Sequence, residues 1–248
     1  MPDDHFSSVA KQYAQSRPTY PDELFEWLAS CCPGRELAWD VGAGNGQASV
    51  ALARHFQHVL ATDLSVEQIS QATPHDRVEY RAAPAEHSGL DPHSADLVTV
   101  AQALHWFDLD PFYREVRRVL KPGGVFAAWS YGMLEVEGDE VDAHVQHFYD
   151  VVAGPHWPPG RRHVENGYAE LAFPFEPLSA PPLSIRLRWD LAGLIGYVRS
   201  WSATARLRAQ DGDAPLQAFE RRLTTLWGDP ATAREVRWPI TMRAGTDG

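Results

Sequence analysis

The chain has 248 residues, 44% of them apolar, enough for one large domain or for a core with a modest second lobe. Its 33 acidic and 22 basic residues give a formal net charge of −11, which argues against a nucleic-acid partner held on a broad basic face. No apolar run reaches the length of a membrane span, residues 1–5 lack the basic and apolar parts of a secretory signal, and the two cysteines, Cys31 and Cys32, are adjacent; no membrane partner and a reducing, cytoplasmic setting are therefore expected.

In chain order, residues 5–16 predict a short helix that stops before Arg17-Pro18. Pro21 opens a second helix. Asp22 and Glu23 occupy its first turn, where negative charge suits the dipole, and Leu24, Trp27, Leu28 and Cys31 keep helical spacing. Strands and helices then alternate. Residues 37–41, 58–62, 78–82, 96–100 and 125–129 predict five strands. Helices are expected at 47–56, from Ser65 onward, and at 110–120. Ser65 and Gln68 make a capping box, Pro111 sits in the first turn of the third helix, and Lys121-Pro122-Gly123-Gly124 closes it. This alternation implies an α/β architecture, a Rossmann-like and mostly parallel sheet with helices on both faces. Beyond residue 130 prolines become frequent. A helix over 141–152, a half-buried strand over 183–189, helices over 191–207 and 215–227, and a last strand over 236–242 are expected. Two late strands bring the sheet to seven. Residues 1–130 then form the cofactor-binding core with its N-terminal helices. Residues 131–248 supply the late strands and a substrate-binding helical lid in the same compact domain.

The chemistry concentrates at the end of the first strand. Asp40 precedes Gly42, Gly44 and Gly46, glycines at every second position before a helix, and Asp63 closes the next strand. A strand, a glycine turn, a helix and an acid make a half-site for an adenosine-containing cofactor. Dinucleotide sites space their glycines G-x-G-x-x-G and set a helix N-terminus on a pyrophosphate. Here the spacing is G-x-G-x-G, and a carboxylate at Asp40 would repel a pyrophosphate while suiting a cationic or amine-bearing ligand. A nicotinamide oxidoreductase therefore ranks low.

This combination resembles the class I S-adenosylmethionine-dependent methyltransferases, type 11. Ala85-Glu86, after the third strand, is similar to that family's adenine-flanking segment. Gln102-Ala103-Leu104-His105-Trp106-Phe107, after the fourth, is similar to the post-strand segment of its small-molecule members, and Arg118 to Gly124 is typical of the same group. A narrower resemblance, to the trans-aconitate methyltransferase-like branch, rests on Tyr13, Arg17-Pro18-Thr19-Tyr20-Pro21, Ala103 to Phe107 and Ser200-Trp201-Ser202-Ala203.

The resemblance implies S-adenosyl-L-methionine as cofactor, S-adenosyl-L-homocysteine as product, and a role for each matching residue. Gly42, Ala43, Gly44 and Gly46 border the methionine part, and Asp40 fixes its amino end, directly or through water. Asp63 accepts both ribose hydroxyls, with an N-cap for the following helix as the alternative. Leu64 packs on the adenine, Ala85 and Glu86 line its edge, Gln102 and Ala103 border the sulfonium, and Tyr13 closes over the cofactor. His105 and Trp106 lie just past the carboxyl end of the fourth strand, where open α/β sheets bind ligands. His105 would deprotonate a hydroxyl or hold a carboxylate, or else fix the loop with Trp106 in the core. Arg17, Arg161, Arg162, Arg199 and Arg206 would pair with an acidic substrate, and Trp201 would line its pocket. The histidines lack metal-ligand spacing, so no metal is expected. The expected activity is methyl transfer to a small molecule, with carboxyl O-methylation of an organic acid favoured. The alternatives are a phenol, carbon or amine acceptor, a nucleic-acid or protein acceptor, or a non-catalytic S-adenosylmethionine-binding regulatory module. Monomer and homodimer are both compatible with the sequence.

Overall fold

The computed structural model describes residues 18–158 and 160–247. The chain divides into two units. Of the described residues, one gathers 20–132, 162–183 and 240–247, and the other gathers 18–19, 133–158, 160–161 and 184–239.

The first unit carries the parallel core. Its strands are β1 (Leu37–Val41), β2 (His58–Asp63), β3 (Val78–Ala82), β4 (Ala95–Ala101) and β5 (Leu120–Tyr131), in the order β3-β2-β1-β4-β5. All four pairings among them are parallel. The helices of this stretch are α1 (Asp22–Cys31), α2 (Gln47–Leu52), α3 (Val66–Ser70) and α4 (Leu109–Val119). Side chains alternate across the sheet with a period of two. Trp39, Val41, Leu60, Val98, Val100, Phe126 and Ala128 point to one face, where Phe112, Val116 and Val119 of α4 cover them. Ala38, Val59, Leu97, Val125, Ala127 and Trp129 point to the other, under Leu24, Phe25 and Leu28 of α1 and Leu52 of α2. Burial on both faces explains why these strands read as near-continuous apolar runs.

The strand count exceeds the expected seven. Among the described residues nine strands pair, because β9 (Arg234–Thr246) is 13 residues long and offers other strands both its second edge and the positions before Ile240, where β5 stops. Ile240 to Thr246 run antiparallel to β5, and β7 (Glu176–Leu178) joins at Ala244 to Thr246. In the second unit β6 (Glu135–Val136) pairs antiparallel with Val236 and Arg237. Strands of two and three residues are too short to show any periodicity. The strand expected over 183–189 is β8 (Leu183–Trp189), also on β9.

The second unit is otherwise helical: α5 (Asp139–His147) running into a π-turn at Phe148–Val152, then α7 (Leu191–Arg199), α8 (Ser202–Asp211) and α9 (Ala214–Trp227). The short α6 (Arg161–Glu165) opens the 162–183 segment. The single helix expected over 191–207 is broken at Ser200-Trp201. Trp201 adopts an extended backbone (φ −60°, ψ 137°), and its ring packs among Phe148, Tyr149, Trp157 and Tyr197. Burying that ring outweighs local helix propensity.

Candidate functional site

The strand order reverses at β1, with β2 on one side and β4 on the other, and the carboxyl ends of strands at such a reversal are where open α/β sheets form their ligand crevice. Asp40, Gly42, Ala43, Gly44, Gly46, Asp63, Leu64, Gln102 and Ala103 all lie there.

The three glycines all have left-handed backbones, φ +67°, +56° and +83°, but their surroundings differ. A Cβ on Gly42 would stand 2.7 Å from the Ala103 Cβ, and one on Gly46 would stand 2.2 Å from the Tyr80 hydroxyl. Among the described residues, Gly44 alone of the three opens outward, with only the Gln68 Oε1 near, at 3.9 Å. A ligand can therefore approach the backbone at Gly44, while Gly42 and Gly46 are glycine because the protein itself fills the space. This separates two variants. Gly46→Ala should cost about 2–4 kcal/mol of stability, because Tyr80 is tied to the Thr73 carbonyl at 2.7 Å and cannot retreat freely. Gly44→Ala should cost about 1 kcal/mol and act mainly on ligand affinity. Thermal unfolding and calorimetric titration of the pair check this; equal destabilisation by both would contradict it.

Asp63 ties the turn to the strand beside it. Its Oδ2 accepts from the Gly44 amide at 2.9 Å and its Oδ1 from the Ser65 amide at 2.8 Å. The Ser65 hydroxyl accepts from the Gln68 amide at 3.2 Å, so the cap of α3 is Ser65, as expected. Leu64, next in the chain, is 79% exposed.

Asp40 lies under the turn rather than in it. It is fully buried, and its two oxygens accept from the Ser49 hydroxyl at 2.6 Å and the Thr99 hydroxyl at 2.9 Å. Burial pushes its carboxyl up to about 6, opposed by the two hydroxyl bonds and reinforced by the nearby Asp63 charge. A direct contact with a ligand's amino group, one of the two expected routes, is closed by this packing; Asp40 can act on a ligand through its charge.

At the end of β4, Gln102 turns the chain through a left-handed backbone, φ +61°. Its amide donates to the Trp129 carbonyl at 2.9 Å and its side-chain amide to the Tyr131 carbonyl at 3.1 Å. His105 and Trp106 follow in a 3₁₀ turn, Leu104–Trp106. Trp106 is 73% exposed, so the alternative reading that placed it in the core does not hold. The His105 ring lies 4.6 Å from Trp106 and is stacked at 6.0 Å on Tyr168. Ala85 is buried and Glu86 half-buried, in a turn after β3.

Other expected residues are placed differently. Tyr13 and Arg17 lie outside the described residues. Arg199 and Trp201 belong to the second unit. Arg199 is held through Nε and Nη2 by Glu220, at 2.7 and 2.8 Å, and Arg162 is paired with Glu170, so each already has a carboxylate partner from this chain. Trp201 is only 7% exposed and serves the aromatic cluster described above. Sequence reasoning missed Tyr80, which seals the turn, Ser49 and Thr99, which hold Asp40, and Tyr168, which backs His105. Of these only Tyr80 left a signal, as an aromatic in the strand beside the acid-terminated one. Among the described residues, no three His, Cys, Asp or Glu side chains gather as a metal site, and no helix is long and apolar enough to cross a membrane.

Comparison with known proteins identifies the family. Residues 39–128 match the family model of a methyltransferase domain. A protein of Dictyostelium discoideum named as a methyltransferase is 40% identical over 206 residues, 82% of this chain and 78% of that one. An uncharacterised methyltransferase of Mycobacterium tuberculosis is 38% identical over 122 residues, 48% of this chain and 49% of its own length. A solved structure from Anaeromyxobacter dehalogenans, named as a type II methyltransferase, is 48% identical with a TM-score of 0.89, covering 93% of this chain and 97% of that one. With the glycine turn, the acid that ends β2 and the parallel order of the sheet all in place, the chain belongs to the class I S-adenosylmethionine-dependent methyltransferases.

Proposed function

We propose that the 20–132 core holds S-adenosylmethionine across residues 42–46 and that the chain passes its methyl group to a small-molecule acceptor. The observation that carries the cofactor's placement is Asp63. A carboxylate has about four lone-pair sites. Two of them are used by the Gly44 and Ser65 amides, leaving two for the vicinal hydroxyls of a ribose. The exposed Leu64 beside it gives an apolar face for a base, and the open side of Gly44 gives the close approach that the amino-acid end needs. When bound, the cofactor supplies an activated methyl carbon on a sulfonium. The protein's share is to hold donor and acceptor in line and to exclude water.

The acceptor reading turns on His105. An ionised carboxylate needs no base, and the carboxyl-ester expectation leaned on arginines, of which Arg162 and Arg199 are already paired with glutamates. A phenol or alcohol must lose its proton, and His105 stands beside the crevice to take it. The favoured acceptor is therefore a hydroxyl-bearing small molecule, with the carboxyl group of an organic acid as the second reading. Membership of the trans-aconitate-like branch belongs with that second reading and rests on its sequence runs alone.

Transfer of labelled methyl groups to a panel of phenols, alcohols, amines and polycarboxylic acids tests both. The expected product is stable to base, and His105→Gln should lower kcat by about 10²–10⁴ with cofactor affinity unchanged. A base-labile product with an active His105→Gln enzyme would establish the ester reading instead. Tight cofactor binding without transfer to any of them would favour the regulatory module.

A further inference from the structure

One buried carboxylate in the first unit has no part in the reading above. Glu115, on α4, is 6% exposed. Its Oε1 accepts from the Ser88 amide at 2.8 Å and the Ser88 hydroxyl at 2.5 Å. Arg118 closes the other side, with Nε on Oε2 at 2.7 Å and Nη2 on Oε1 at 2.8 Å. The same Nη2 donates to the Leu90 carbonyl at 2.7 Å. From β3, Arg81 donates to the Ser88 carbonyl at 3.1 Å, and the Leu90 amide donates to the Ser88 hydroxyl at 3.0 Å. Burial pushes the Glu115 carboxyl up, but Arg118 and the two Ser88 bonds outweigh it and hold it down at about 2.

The segment gripped this way lies in no helix or strand, so it has no ladder to fix its path. Charged side chains from two different elements fix it at Ser88 and Leu90 instead. Three and two residues before Ser88 stand Ala85 and Glu86, and a turn bond from the His87 amide to the Pro84 carbonyl, 3.2 Å, spans them. A buried ion pair is weak as a stabilising device, since apolar residues of similar volume often do as well. Its use here is better explained by what it orients.

We propose that Glu115 is a positioning residue for the base of the cofactor: through Ser88 it sets the Ala85-Glu86 wall at the place and angle that recognise adenine. The inference rests on the reading that this wall borders the adenine. It predicts that Glu115 governs discrimination between bases rather than affinity alone.

The test is calorimetric titration with S-adenosylhomocysteine and with S-inosylhomocysteine, which differs only in the base, against the wild-type chain, Glu115→Gln and Ser88→Ala. Wild type should prefer the adenine ligand. Glu115→Gln should bind it about tenfold more weakly, the scale on which outer partners of metal ligands act, and the preference between the two bases should shrink. Ser88→Ala, which leaves Glu115 paired with Arg118, should move the preference in the same direction by less. A lower melting temperature with the preference intact would mean a purely structural role and overturn the proposal. If Glu115→Gln does not fold, an unchanged preference in Ser88→Ala overturns it equally. A wild type with no preference between the two ligands would remove the adenine reading itself, and the proposal with it.

Discussion

Replacing Asp63 with alanine should weaken binding of S-adenosylmethionine by about 10²–10⁴-fold while the protein stays folded. Hydrogen bonds to a charged acceptor contribute about 1.5–3 kcal/mol each, and the variant loses two of them to the ribose hydroxyls. It also frees the Gly44 and Ser65 amides that the carboxylate now holds at 2.9 and 2.8 Å. The turn at Gly44 would then lose the anchor that presents its open side. Asn is no remedy at this site. Both protein partners are donors, so one of them would face the Asn amino group, which is also a donor. Asp63→Asn should therefore fall close to Asp63→Ala. Calorimetry with the cofactor and with S-adenosylhomocysteine measures the loss, and circular dichroism checks the fold. Wild-type affinity in a folded Asp63→Ala chain would take Asp63 out of the site.

Much of this unit was legible in the sequence. The first and third strands were expected at the residues where they occur, and the fourth extends only one residue past expectation at either end, because the apolar runs of the first and fourth and the alternation of the third carry strong local information when turn signals flank them. The functions of Asp63 were expected as alternatives, ribose acceptor or cap. The structure shows why they need not compete: Ser65 caps α3 while Asp63 holds the turn. What the sequence could not carry was non-local. Gly42 faces Ala103 and Gly46 faces Tyr80, residues far along the chain, so only the folded backbone separates these glycines from Gly44. Arg199 looks the same in a sequence whether it is open or closed by Glu220, 21 residues later. The break at Trp201 likewise follows from aromatic packing that no helical period records.

Asp40→Asn should move stability and affinity in opposite directions. Burial raises the Asp40 carboxyl from 3.8 to about 6, so the fold favours its protonated form. That stabilisation is complete below about pH 4 and is lost as the pH rises through about 6, which leaves the ligand-free protein about 3 kcal/mol short at neutral pH. Glu115 works below that window: its depressed carboxyl contributes stability at neutral pH that falls away only between about 4.5 and 2. Asparagine is neutral at every pH, and the Ser49 and Thr99 hydroxyls can either donate to it or accept from it. The variant should therefore melt several degrees higher than wild type at pH 7, and the gap should close toward pH 4. The cost should appear in binding. The ionised carboxylate under the turn attracts the ammonium and sulfonium charges of the cofactor, an interaction of about 1–3 kcal/mol at an effective dielectric near 20. Affinity should fall about 10- to 100-fold for S-adenosylmethionine, and by less for S-adenosylhomocysteine, which lacks the sulfonium charge. Tolerating an unfavourable buried charge makes sense only if something cationic offsets it, and that is the physical case for Asp40 as part of the cofactor site without touching the cofactor. A variant that melts lower at pH 7, or that binds both ligands as wild type does, would leave Asp40 as a packing residue alone.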